Sequence, residues 1–165
     1  MKAWIERPQE EAYLLNPSFC CVMISSAVAG YQENALRGLT LPLAYMILPI
    51  TLHRPTRTLL PRSKRTSLPM WIQDNATVRI LFYERLMSLK TFTNEAILFG
   101  GERKWLSIDK NGSILSNQKE NTIRRAIHSF DNEPKDCILK AMFIGKWFAA
   151  AGPASTIMAL WGVQA

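Results

Sequence analysis

Thiols and imidazoles are the side chains best suited to nucleophilic, redox or metal chemistry, and this chain carries three cysteines and two histidines. A zinc site or a redox pair needs them a few residues apart, as in C-x2-C or H-x3-H. Here Cys20 and Cys21 are adjacent, Cys137 stands alone, and His53 and His128 are far apart. That spacing supports neither a metal site nor a disulfide framework. The thiols read instead as small buried apolar groups in a reducing cytosol. Ser129 and Asp131 lie near His128, but in a polar stretch with no sign of a shared site. No G-x-S-x-G, H-E-x-x-H, C-x-x-C or P-loop pattern occurs. Gly100-Gly101 is too short to cradle a phosphate, and the acids are scattered. The expectation is a protein without catalytic residues, metal or cofactor, and so not an enzyme by itself.

Charge is the more informative feature. The 165 residues carry a formal net charge of +7, from 20 Lys and Arg against 13 Asp and Glu. Arg54, Arg57, Arg62, Lys64 and Arg65 supply five of these charges with no acid among them. Without those five, 15 basic residues face 13 acidic ones, so the excess belongs to one short segment. With two prolines, residues 53–66 read as an extended or short-turn surface connector. Three uses stay open from the residues alone: neutralising phosphates, docking on an acidic protein surface, or simple solvation.

The elements around that segment are mostly helical. Asn16-Pro17 is a helix start, and a largely apolar helix follows to about Ala29, with Gly30 as its left-handed cap. Its apolar residues surround much of its circumference, which makes it a central helix. Residues 43–52 form a second apolar helix, kinked or ended by Pro49. Thr66 or Ser67 caps a short helix containing Met70, Trp71 and Ile72. Asn75 caps the next, with Val78, Leu81, Phe82, Leu86 and Leu89 as its stripe. Another begins at Thr93 and is weakened by Gly100-Gly101. Residues 104–109 alternate as a half-buried strand, Lys110-Asn111-Gly112 is a turn, and Ser113-Ile114-Leu115 returns antiparallel. A short helix is expected around 123–128. Pro134 opens a long helix to about Ala151, with Ile138, Ala141, Gly145 and Phe148 as its stripe, and a last short helix carries Trp161.

The fold expected is mainly α: a compact helical domain with a winged-helix-like β-hairpin. One domain spans 1–165, with a helical core over about 12–104, the hairpin at 105–115 and C-terminal helices at 134–161. Trp105, Trp147 and Trp161 are read as core rather than as an interface hot spot. The longest apolar stretches, 17–29 and 41–52, are shorter than a membrane span. The first residues, with Glu10 and Glu11, lack the pattern of a signal peptide. A cytoplasmic protein without membrane contact is expected.

Several short segments, taken in order, resemble a known family. They are Asn16-Pro17-Ser18-Phe19, Leu41-Pro42-Leu43 through Leu48-Pro49, Leu52-His53-Arg54-Pro55-Thr56-Arg57 and Thr66-Ser67-Leu68. Thr93-Asn94-Glu95-Ala96-Ile97-Leu98-Phe99, Gly145-Lys146-Trp147-Phe148-Ala149 and Gly152-Pro153-Ala154-Ser155-Thr156-Ile157 continue the likeness. From about residue 12 to the end, the chain is similar to the middle component of three-component ABC systems. The resemblance implies partnership with an SMC- or Rad50-like ABC ATPase and an effector, often a nuclease, in Lamassu-like defence against phage and plasmids. It implies a small non-catalytic subunit that binds near the ATPase heads and holds the effector inactive until foreign DNA is sensed. DNA contact is expected only within that complex. The family supplies no catalytic residues to carry over.

Its His-basic-Pro-Thr-Arg signature falls on His53 to Arg57. Together with the charge run, it makes His53, Arg54, Thr56, Arg57, Arg62, Lys64 and Arg65 the candidate partner-binding residues. Changing Arg54 and Arg57 to Glu is expected to weaken assembly and leave the fold intact. The competing expectation is a free-standing winged-helix DNA-binding regulator. The near-neutral charge of residues 93–104, the stretch before the hairpin, counts against it.

Overall fold

The structure, a computed structural model, describes residues 15–163. The N-terminal residues examined for a signal sequence, and the first of the expected 12–104 core, lie outside the described residues. Helix α1 (Pro17–Ala35) starts as its sequence dictates: the Asn16 side chain accepts from the Ser18 N–H, and proline occupies the first turn. It does not stop at Gly30. It continues to Ala35 and ends with Leu36 in the left-handed region (φ 54°). Gly30 serves packing instead. A Cβ there would meet the Met142 carbonyl at 2.3 Å, and one at Gly145 would lie 1.8 Å from the Ala27 carbonyl. Two glycines thus let α1 and α7 (Asn132–Ala151) touch backbone to backbone.

After the short strand β1 (Leu39–Thr40), helix α2 (Leu41–Thr51) runs through Pro49 rather than ending there. Thr51 closes it by donating its hydroxyl to the Ile47 carbonyl at 2.7 Å. Helices α3 (Arg54–Leu59) and α4 (Leu68–Asp74) follow, then a 3-10 turn over Ala76–Arg79. The two helices expected over 75–101 are replaced by that turn and one long helix, α5 (Phe82–Glu102). Leu81 takes a left-handed conformation (φ 53°) at its entry. Arg85 holds this corner by donating to the Val78 and Ile80 carbonyls. Gly100 does not weaken α5 but makes room beneath the hairpin. A Cβ there would lie 2.7 Å from Leu106 Cδ1 and 2.8 Å from Cys21 Sγ.

The hairpin forms from β2 (Leu106–Ile108) and β3 (Ser113–Ser116), with Leu106 opposite Ser116 and Ile108 opposite Ile114. The Asp109 carboxylate accepts the Asn111 and Ser113 N–H groups, and Gly112 takes the positive φ of 77°. Unforeseen from sequence, β1 joins the other side of β3, giving an antiparallel sheet of order β1-β3-β2. Helices α6 (Glu120–Ala126) and α8 (Ala154–Leu160) complete the chain. The protein is mainly helical with a small antiparallel sheet, the fold class expected from the sequence.

Helix α1 packs against α7, α5, α2 and β3, which is why it is buried around most of its circumference. An aromatic cluster closes the far end. Trp71 lies edge-on to Trp147 (5.2 Å), and Phe82 stacks near Trp161 (4.6 Å). Trp147 and Trp161 are core residues as expected, whereas Trp105 is 37% exposed. All three cysteines are buried, and burial pushes the Cys20 thiol up to about 12. No helix among the described residues is long and apolar enough to cross a membrane.

Candidate partner-docking surface

The basic segment divides into an inward half and an outward half. Residues 54–59 are helical, not extended, because Pro55 lies in the first turn, where its missing N–H is not needed. His53 Nδ1 lies 2.7 Å from the Thr56 hydroxyl, an N-terminal clasp on α3. Burial, and then the Arg85 charge, pull the His53 pKa down. Thr56 and Arg57 are buried, at 1% and 3% exposure.

Arg57 is fully engaged. Its Nε donates to Asp136 at 2.8 Å, one terminal nitrogen to Glu133 at 2.7 Å and the other to the Thr51 carbonyl at 2.7 Å. Burial opposes its charge, but the hydrogen bonds to Glu133 and Asp136 outweigh that and hold it protonated. The guanidinium fork therefore ties the C-terminus of α2 and helix α3 to the start of α7. This corrects the surface-connector reading for Thr56 and Arg57. An Arg57→Glu change would place a third carboxylate beside two others, so the fold would not be left intact. Glu133 and Asp136 were not singled out from sequence. They share a face three residues apart at a helix N-terminus, but nothing local points them at a residue nearly eighty positions away.

Arg54, Arg62, Lys64 and Arg65 form the outward half, and all are exposed. Among the described residues, no ion pair engages Arg54, Arg62 or Arg65. Lys64 donates to Asn34 on α1. The loop that bears Arg62, Lys64 and Arg65 is fastened by two tryptophans. Trp71 Nε1 donates to the Leu59 carbonyl (3.0 Å), and Trp147 Nε1 to the Thr66 carbonyl (2.7 Å). The charge run is a cationic surface held in place by the core.

A second polar cluster had no sequence signal. Glu120, on α6, takes Lys146 of α7 at 2.6 Å and Arg124 at 2.7 Å. Burial would raise its pKa, yet hydrogen bonds from Glu33, Lys146 and Arg124 bring it down to about 2. Glu33 is raised, chiefly by its hydrogen bond to Glu120. No group of His, Cys, Asp and Glu able to hold a metal occurs among the described residues.

Fold and surface together define a small helical protein that presents a fastened cationic loop beside a buried ion-pair clamp. Its sequence matches the family model of the ABC-three component (ABC-3C) system Middle Component 3 over residues 4–165. The chain belongs to that family, whose members are components of multi-subunit systems. No curated protein and no solved structure matches the chain.

Proposed function

We propose that this chain is the non-catalytic bridging subunit between an SMC/Rad50-like ABC ATPase and an effector, often a nuclease, in a Lamassu-like defence against phage or plasmid DNA. It acts as one domain over 1–165. The observation that carries the reading is the division of the basic segment: Arg57 is fastened inside, while Arg54 on α3 and Arg62, Lys64 and Arg65 on a held loop are presented outward. Pre-ordered cations of this kind suit an acidic partner surface, because little side-chain and loop freedom is lost on docking.

The second reading, a winged-helix DNA-binding regulator, is favoured by the topology. A short strand follows the first helix, a long helix precedes the hairpin, and the strand order is β1-β3-β2. Charge opposes it. Helix α5 holds Glu84, Glu95 and Glu102 against Arg85 and Lys90, and the Arg85 guanidinium is occupied by its own backbone. Such a helix has little to offer phosphates.

The test is co-expression with the two other components, followed by size-exclusion chromatography. Wild type should co-elute with at least one partner, and changing Arg62, Lys64 and Arg65 together to Glu should abolish this at an unchanged melting temperature. Elution alone in every combination, or salt-sensitive duplex binding by the isolated chain, refutes the proposal.

A further inference from the structure

In the order β1-β3-β2, strand β2 is an edge whose outer side is unpaired among the described residues. Antiparallel ladders alternate between residues facing the neighbour and residues facing away. The Trp105 carbonyl accepts from Asn117, and the Asp109 N–H donates to Ser113. The N–H and C=O groups of Leu106 and Ile108 therefore point away from β3. Edge strands are commonly protected by charge, proline or a bulge. Leu106-Ser107-Ile108 itself has none of these and is only three residues long.

Beside this edge, between β2 and the C-terminal end of α5, lies a mostly apolar groove of about 310 Å³ lined by Leu98, Gly101, Leu106, Ile108 and Ile114, with the exposed Glu102 also on its wall. Leu98 and Ile108 are each 65% exposed. A strand laid along β2 would set alternate side chains over this groove. Gly101 has no packing role among the described residues, since a Cβ there meets nothing within 4 Å. Glycine is a poor helix former, and the space above this one is open for a neighbouring chain.

Charge names the kind of neighbour. Lys104 and Lys110 stand exposed two residues beyond either end of β2, with Arg103 next to the first. None of the three makes an ion pair among the described residues, and Arg103 lies over the Phe99 ring. Of the nearby acids, Asp109 is occupied by the turn and the groove-lining Glu102 offsets one of the three cations, so the edge keeps a positive excess. Antiparallel pairing with a second copy about Ser107 would set Lys104 against Lys110, which disfavours self-association. The geometry points to β2 as the docking edge for an extended strand from another subunit, apolar at alternate positions and acidic at its ends. This rests on the chain being an accessory component, as its family membership implies.

The experiment is amide hydrogen exchange on the full chain, alone and in the co-expressed complex. Exchange at Leu106 and Ile108 should slow by roughly tenfold or more in the complex. Ile108→Pro, which removes one outward N–H and leaves the β3 ladder whole, should weaken the complex by roughly tenfold. Gly101→Ala should weaken it too, although it fills no space within the chain. Both isolated variants should keep the wild-type fold by circular dichroism. A complex that forms with unchanged exchange at these amides overturns this inference and leaves the accessory reading standing. No complex in any combination overturns both. Two further results overturn it: protection that appears with concentration-dependent dimers, and protection in the isolated chain that vanishes when residues 1–14 are removed. They assign the edge to a second copy or to the chain's own N-terminal segment.

Discussion

Replacing Arg57 by Met tests whether the buried cation of the basic segment is a structural tie. Met keeps an apolar stem in the same space and removes three hydrogen bonds. The Thr51 carbonyl, on a residue with no exposure, loses its charged donor and keeps only the distant Cys137 thiol at 3.8 Å. A buried acceptor left unsatisfied costs about 1–3 kcal/mol. The Glu133 and Asp136 side chains are 64% and 46% exposed, so both recover water. Each of those pairs therefore counts for only about 0.5–1 kcal/mol. The sum centres on about 3.5 kcal/mol. For a chain of this size it lowers Tm by about 10 °C. Thermal unfolding followed by circular dichroism reads this directly. Arg57→Lys should fall between, since one ammonium cannot span three acceptors. Arg54→Met, on the exposed side of the same helix, should change stability by no more than about 0.5 kcal/mol. An Arg57→Met protein melting within about 2 °C of wild type would show that the fork is ornamental and refute the reasoning.

Three further perturbations follow from the structure. Gly145→Ala should destabilise the protein by at least about 3 kcal/mol, because its Cβ would overlap the Ala27 carbonyl. Gly101→Ala, which meets nothing, should stabilise the isolated chain by up to about 1 kcal/mol; urea melts of both variants check the pair. Glu120 gives a pH signature. Its carboxyl falls from the ordinary value of 4.5 to about 2 on folding, so its contribution is complete above the higher value and is lost as pH falls through the lower one. Glu33, shifted upward, acts in the opposite sense. The stability difference between wild type and Glu120→Gln should shrink as pH drops across that window, and a difference independent of pH would exclude the ion-pair account.

Local signals were enough for much of the architecture. Asn16-Pro17 started α1, and the Ile138, Ala141, Gly145, Phe148 stripe defined the buried side of α7. The alternation of 104–109 with Asn111-Gly112 marked the hairpin. Each is a preference expressed within a few residues, so chain order alone reveals it. The glycines misled for the complementary reason. Gly30 looked like a helix stop and Gly100 like a weak point, because a glycine's backbone freedom is visible in sequence while the backbone that crosses it is not. Only the approach of Met142 to Gly30 and of Leu106 to Gly100 shows why those side chains are absent.

The candidate site shows the same boundary. That five cations crowd into residues 54–65, and that no catalytic spacing accompanies them, was determined by the sequence itself, since charge and spacing are properties of the chain. Which cations face a partner was decided by tertiary structure. The pairing of Arg57 with Glu133 and Asp136, and the fastening of the loop by Trp71 and Trp147, join residues distant in sequence. A cation's role depends on whether a carboxylate or water lies within reach, and for residues this far apart only the tertiary fold brings that carboxylate there.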